Sequence, residues 1–167
     1  MYAPFYLNCR SGNPPLRIGV LLDTKILPAW FERALEQIVD SNFARLELAV
    51  LNGDAQRKST GQRRRQGLLF TLYERWDNRR IADSEDPLRG VDGSAYLENV
   101  ESITVTPVTK GAVQHFPEDA IRRIREMRLD VLVRLGFKAL RGEILQAARY
   151  GVWSWSGGDN GYCGSLA

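Results

Sequence analysis

Short runs of β-prone apolar residues alternate with amphipathic stretches along this chain, and that alternation limits the folds it can adopt. Residues 16–22 (LRIGVLL) form the first apolar run, and Pro28 then begins a stretch whose apolar residues recur at helical spacing. Residues 45–51 form the second run. A strand, a helix and a strand in this order predict a βαβ unit with two parallel strands.

The same alternation returns in the second half of the chain. Residues 102–108 alternate isoleucine and valine with threonine, which predicts a strand, and Pro107 suits its end or an edge position. Phe116-Pro117 begins a second amphipathic helix. Residues 131–135 and 152–155 predict two further strands. Between these two strands we expect a helix with one apolar face, made of Leu140, Ile144, Leu145 and Ala148.

Strands that alternate with helices predict an α/β domain with a Rossmann-like, mainly parallel sheet and helices on both faces. The length of 167 residues suits one domain. We expect residues 1–15 to be an irregular lead-in and residues 16–167 to form the domain. A basic and helical insert interrupts it at about residues 55–100, and the acidic segment 83–93 within that insert predicts a loop.

Composition narrows the function classes. A formal net charge of +3 is too small to indicate nucleic-acid binding by itself, and no apolar run approaches the ~20 residues that span a bilayer. One histidine and two distant cysteines cannot complete a zinc site without carboxylates, so we expect no metal. The first residues lack the pattern of a secretory signal, which favours a cytoplasmic protein with reduced thiols.

The insert carries a strong local charge. Between residues 55 and 80 there are eight basic residues and two acidic ones. Such a segment is typical either of a phosphate or nucleic-acid contact or of a solvated surface loop, and the sequence leaves both open. The candidate contact residues are Arg57, Lys58, Arg63, Arg64 and Arg65.

The last two predicted strands both end in loops rich in glycine and polar residues. Gly136-Phe137 follows the first of them, and Ser156-Gly157-Gly158-Asp159-Asn160 follows the second. Ligands of an open parallel sheet gather at the carboxyl ends of its strands, so we expect the functional site here. The alternative is a turn without chemistry, since Gly, Asp and Asn are common turn residues. No GxGxxG follows the first strand, which removes the main support for a dinucleotide site.

This terminal segment resembles the N-terminal domain of the formyltransferase family. The similar parts are DVLVRLGF at 130–137, the segment after it, and GVWS at 151–154. The following loop, WSWSGGDN at 153–160, is similar to the Trp-Ser-(aromatic)-His-His-Gly-Asp-Asn loop of one subgroup. The resemblance is specific from residue 130 to 160 and only architectural from 16 to 54.

The resemblance implies transfer of a formyl group from 10-formyltetrahydrofolate to an amine, either a small molecule or a tRNA-linked amine. It also implies two groups of site residues. Its catalytic positions correspond to Ser154, Ser156, Asp159 and Asn160. Its cofactor-binding positions correspond to Gly136, Phe137 and Leu140.

The chain departs from the family where proton transfer is concerned. Ser156 and Gly157 stand where the subgroup has two histidines, and serine cannot carry a proton near neutral pH as imidazole does. The family's catalytic Asp corresponds to a position after Ala167, so we expect a domain that is incomplete at its C-terminus and possesses little activity. Two alternatives follow. One is a non-catalytic Rossmann-like module that binds a phosphorylated metabolite or RNA, and the other is a structural half-domain that depends on a partner.

Overall fold

The computed structural model describes residues 8–10, 12–55 and 86–154. The strands of its main sheet are β1 (Leu16–Leu22), β3 (Ala44–Asn52), β5 (Glu101–Val105), β8 (Val131–Arg134) and β10 (Val152–Ser154). The shorter strands are β2 (Ile26–Pro28), β4 (Gly90–Asp92), β6 (Val108–Lys110), β7 (Val113–His115) and β9 (Ala139–Arg141). The helices bounded within these ranges are α1 (Ala29–Asp40), α2 (Ser94–Leu97), α3 (Glu118–Glu126) and a 3-10 helix at Glu143–Gln146.

The main sheet has the strand order β10-β8-β1-β3-β5, and every neighbouring pair in it is parallel. The chain starts at the central strand β1, moves outward through β3 and β5, and then returns to the other side of β1 to form β8 and β10. This is the order of the first five strands of a Rossmann fold, with its topological switch point between β1 and β8. The predicted α/β class with a Rossmann-like parallel sheet is therefore confirmed.

Both faces of the sheet are covered by helices. On one face, Leu35 of α1 packs in a buried cluster with Val20 of β1 and Leu51 of β3. On the opposite face, Ile124 of α3 packs in a second cluster with Val50 and Leu132. Adjacent residues of one strand point to opposite faces, which explains why the central strands are apolar at nearly every position.

The helix predicted over Leu140, Ile144, Leu145 and Ala148 is wrong. Residues Ala139–Arg141 instead form β9, which pairs in parallel with β7, and a single 3-10 turn follows. Gly142 separates the two elements at φ +85°, a conformation that glycine tolerates and an α-helix excludes. The apolar residues whose spacing predicted one helical face therefore lie on two different segments, one before Gly142 and one after it.

Two loop regions also differ from the sequence-based expectation. The predicted strand 102–108 ends at Val105, and after Pro107 the chain begins the β6–β7 hairpin, which turns at Gly111 with φ +62°. Pro107 therefore lies beyond the end of β5, where it removes no hydrogen bond of the main sheet. Within the segment expected to be a loop, Gly90–Asp92 form β4 and pair antiparallel with β2. That pairing joins distant parts of the chain, so local composition does not reveal it.

The described end of the insert packs on α1. Leu97 of α2 is buried in the α1 cluster, and the Tyr96 hydroxyl donates a 2.8 Å hydrogen bond to Glu32 Oε1. Residues 56–85, which hold most of the insert predicted to be basic and helical, lie outside the described residues. Among the helices of the described ranges, none has the length and apolar character needed to cross a membrane.

Replacing Leu35 with alanine tests the packing of α1. Leu35 is fully buried, so Leu35→Ala should lower the free energy of unfolding by about 2–5 kcal/mol. Val39 lies on the same helix but is 55% exposed, so Val39→Ala should change it by less than about 0.5 kcal/mol. Urea unfolding measures both. Equal losses in the two variants contradict this packing of α1.

The Tyr96–Glu32 contact predicts a pH effect. The hydrogen bond to Glu32 raises the pKa of Tyr96 from 10.0 to about 12. Because the unfolded chain loses this proton first, the stabilisation is fully present below pH ~10 and is lost as the pH rises toward about 12. Phenolate absorbance should therefore contain one late-titrating tyrosine that disappears in Tyr96→Phe. Titration of all tyrosines near their ordinary pKa contradicts the contact.

Candidate functional site

The carboxyl edge of the main sheet brings together polar groups from four strand ends. Asp23 directly follows β1, Asn52 is the last residue of β3, Arg134 is the last residue of β8, and Ser154 ends the described part of β10. Because parallel strands end at a common edge, residues that are far apart in sequence become neighbours here. The site follows from the strand order.

The turn after β8 crosses the end of β1 at very close range. The Gly136 amide donates a 2.9 Å hydrogen bond to the Leu21 carbonyl. A Cβ atom on Gly136 would lie 2.2 Å from the backbone nitrogen of Asp23, well inside van der Waals contact. Only glycine fits this position. The turn continues through Phe137, which has φ +64°.

The Asp23 carboxylate ties three strand ends together. Its Oδ1 accepts hydrogen bonds from the Phe137 amide at 2.9 Å and from Asn52 Nδ2 at 2.7 Å. Asn52 is only 5% exposed, and its own Oδ1 accepts a hydrogen bond from the Asp54 amide at 3.1 Å. Asp23 itself is exposed, and its Oδ2 accepts no hydrogen bond from a described residue. One carboxylate oxygen is thus fixed and the other faces no described donor.

Arg134 links the ends of β8 and β10. Its Nε donates a 2.9 Å hydrogen bond to Ser154 Oγ. Its Nη1 donates to the carbonyls of Phe137 and Lys138 at 3.2 and 2.8 Å. These bonds hold the guanidinium beside the glycine turn, and Nη2 donates to no described residue.

This arrangement can bind charged and polar groups, and its donors point to anion or carbonyl recognition. A guanidinium donates but accepts no proton, so Arg134 cannot activate Ser154 as a nucleophile. Since Ser154 Oγ accepts the bond from Arg134, its own O–H is left to donate elsewhere. Within the described ranges, no three His, Cys, Asp or Glu side chains are grouped so that they could hold a metal ion.

The structure brings together some of the site residues predicted from sequence. Arg134 joins Phe137 and Ser154 at the carboxyl edge, and Gly136 lies there on the end of β1. The Phe137 ring, however, is buried, and its centroid lies 5.0 Å from that of the Phe116 ring. Phe137 therefore contributes its backbone groups, and not its ring, to the carboxyl edge. Leu140 is half-buried on β9 and packs against the same core cluster.

The remaining predicted residues lie outside the described residues. These are the catalytic candidates Ser156, Asp159 and Asn160, and the basic candidates Arg57, Lys58, Arg63, Arg64 and Arg65. Their roles stay predictions.

Sequence reasoning missed Asp23, Asn52 and Arg134 as site residues. A signal was present, because Asp23 and Asn52 stand directly at the ends of two predicted strands, the place where the strand-end rule looks for ligand contacts. Arg134 lies inside the fourth apolar run, and the sequence does not indicate in which direction its side chain points.

Two surface depressions lie at the opposite, amino edge of the sheet. One of about 750 Å³ is lined by residues that include Asp130, Leu145 and Arg149. The other, of about 580 Å³, is lined by residues that include Leu16 and Phe43. In the larger one, Asp130 already accepts a 2.9 Å bond from the Arg17 amide and lies 3.8 Å from the Arg149 guanidinium. The Asp130 carboxylate thus already has a hydrogen-bond donor and a cation as partners. We therefore favour the carboxyl edge as the site.

No protein-family model, curated protein or solved structure matches this chain.

Gly136→Ala tests the close approach that shapes this edge. The added methyl group would meet the Asp23 backbone, so the free energy of unfolding should fall by about 1–3 kcal/mol. Gly12→Ala is the matched control, since a Cβ atom there meets nothing within 4 Å. Urea unfolding compares them. A Gly136→Ala protein as stable as the control contradicts the geometry.

Proposed function

We propose that this chain is a formyltransferase-like domain that binds 10-formyltetrahydrofolate and an amine acceptor at the carboxyl edge of its sheet. The proposal draws on the resemblance of residues 130–160 to that family. Its structural support is that Gly136-Phe137 and Ser154, which carry part of the resemblance, end neighbouring strands beside the switch point. The single observation on which it depends most is the Arg134–Ser154 hydrogen bond of 2.9 Å, which joins the two segments.

The proposed chemistry needs donors for a developing oxyanion. The amine nitrogen attacks the formyl carbon, a new C–N bond forms, and the bond from that carbon to N10 of the folate breaks. The amine loses one proton and N10 gains one. In the tetrahedral intermediate the formyl oxygen carries negative charge, which fixed donors stabilise. The Ser154 hydroxyl is one candidate donor, because its oxygen is already engaged by Arg134, and Arg134 Nη2 is another.

This chemistry also needs a group that accepts the proton of the amine. In the family a histidine stands where this chain has Ser156. Serine cannot replace imidazole as a proton carrier near neutral pH, so we expect slow transfer by the natural chain.

A second candidate function is binding without catalysis, with a phosphorylated metabolite as the ligand. The observation in its favour is that Arg134 makes no ion pair with any carboxylate of the described residues. A phosphate group would accept from Nη2 and from the Ser154 hydroxyl. The RNA alternative depends on basic residues outside the described ranges and gains no support here.

Formyl transfer from 10-formyltetrahydrofolate to a panel of amines tests the leading proposal. Ser156→His should raise the transfer rate by restoring a proton carrier. In that background Ser154→Ala should lower the rate roughly 100-fold through loss of an oxyanion donor. Ser102→Ala, an exposed serine on β5, serves as the control and should leave it unchanged.

Calorimetric titration with a tetrahydrofolate derivative separates the two functions. Binding of the folate supports the transferase. If the chain shows no heat with a millimolar folate but binds sugar phosphates, the transferase proposal fails and the binding module replaces it.

A further inference from the structure

Two side chains of opposite charge lie at the carboxyl edge, at the ends of neighbouring strands. Asp23 follows β1 and Arg134 ends the neighbouring strand β8. Neither takes part in an ion pair with another described residue. Among the described ion pairs, one lies at the amino edge, between Arg149 and Asp130. Both charged groups thus lack an ion-pair partner among the described residues, at the edge where ligands of such sheets bind.

The Asp23 carboxylate is held in one orientation. Two donors, the Phe137 amide and Asn52 Nδ2, fix its Oδ1, and Asn52 is itself buried. Rotation of the carboxylate would break both bonds. Its Oδ2 is thus a preorganised acceptor with a negative charge, which suits an amino group.

The Arg134 guanidinium is also fixed in one orientation. Three hydrogen bonds fix its Nε and Nη1, to Ser154 Oγ and to the carbonyls of Phe137 and Lys138. The remaining donors, Arg134 Nη2 and the Ser154 hydroxyl, suit a phosphate or carboxylate.

We propose that Asp23 is the amine-binding residue of this edge, and that the ligand is a small molecule with an amino group on Asp23 Oδ2 and an acidic group on Arg134 and Ser154. Neighbouring strands lie roughly 4.8 Å apart, and β1, β8 and β10 are consecutive in the sheet. The two ligand groups are therefore separated by one or two strand spacings, roughly 5–10 Å. A single sugar ring carrying an amine and a phosphate spans such a distance.

This inference rests on the proposed function in one respect: if the chain is a formyltransferase, the amino group on Asp23 is the group that is formylated. Binding itself needs neither folate nor a proton carrier. Formyl transfer needs the neutral amine, because an ammonium group has no lone pair. Once the bound group has lost a proton, it can still donate an N–H to Asp23 while its lone pair faces the formyl carbon.

Asp23 could instead serve only as a tether between strand ends, and Asp23→Asn separates the two roles. An asparagine side chain keeps one carbonyl oxygen, which can accept both bonds that Asp23 Oδ1 accepts now. It removes the charge and places an NH₂ group where Oδ2 was. A tether survives this change, and an amine site does not.

The experiment uses calorimetric titration of the full chain with two probes, glucosamine 6-phosphate and glucose 6-phosphate. The natural chain should bind the amino sugar about 10-fold or more tightly than the neutral sugar, through a charge-assisted hydrogen bond. Asp23→Asn should abolish that preference and leave the affinity for glucose 6-phosphate unchanged. Asp40→Asn, the same change at an exposed position at the end of α1, should preserve the preference.

The outcomes that overturn the inference are distinct. Equal binding of both probes by the natural chain, binding of neither, or an unchanged preference in Asp23→Asn each refute it. The comparison of probes on the natural chain stands even if the variant is unstable, which urea unfolding would reveal. Amino-sugar binding without any formyl transfer, in the natural chain and in Ser156→His, refutes the transferase and leaves this inference intact. Formyl transfer at an equal rate in the natural chain and in Asp23→Asn refutes this inference and leaves the transferase intact.

Discussion

The close passage of Gly136 over the end of β1 determines the shape of the carboxyl edge. Because no side chain intervenes, the turn after β8 lies directly on the backbone of Asp23. The Phe137 amide consequently reaches Asp23 Oδ1, while the Phe137 ring turns into the core beside Phe116. The carbonyls of the same turn are then within reach of Arg134. One backbone approach thus links the core, the switch point and the polar groups of the site.

The two edges of the sheet differ in how their charges are satisfied. At the amino edge, the Asp130 carboxylate is satisfied by the Arg17 amide and lies near Arg149. At the carboxyl edge, Asp23 and Arg134 are oriented by hydrogen bonds, but neither forms an ion pair with a described residue. Fixed orientation without neutralisation is what a binding site for charged ligands requires, since the groups are positioned before the ligand arrives. The larger described depression lies at the edge that lacks this property.

The sequence predicted the central strands well because they are buried on both faces. A continuous apolar run such as Leu16–Leu22 has few alternatives to a parallel strand in an α/β domain, and the same holds for Val131–Arg134. The elements that were missed depend on long-range pairing or on one backbone angle. The three-residue strands β2 and β4 gain their structure from each other, and Gly142 interrupts what helical spacing had suggested.

The position of the candidate site was predictable from the sequence, but its hydrogen bonds were not. The strand-end rule places Gly136, Phe137 and Ser154 at one edge from the order of residues alone. The hydrogen bonds of Asp23 could not be foreseen, because they join residues 29 and 114 positions apart in sequence. Nor could the direction of the Arg134 side chain, which depends on the turn that follows it.

We propose that ligands of this protein bind at the carboxyl edge, on groups preorganised by the Gly136 turn. Backbone amide NMR during titration with glucosamine 6-phosphate tests it most directly. We expect the largest shifts at Phe137, Lys138 and Ser154. Shifts concentrated instead at Asp130, Arg149 and Gly151, which line the amino-edge depression, would contradict it.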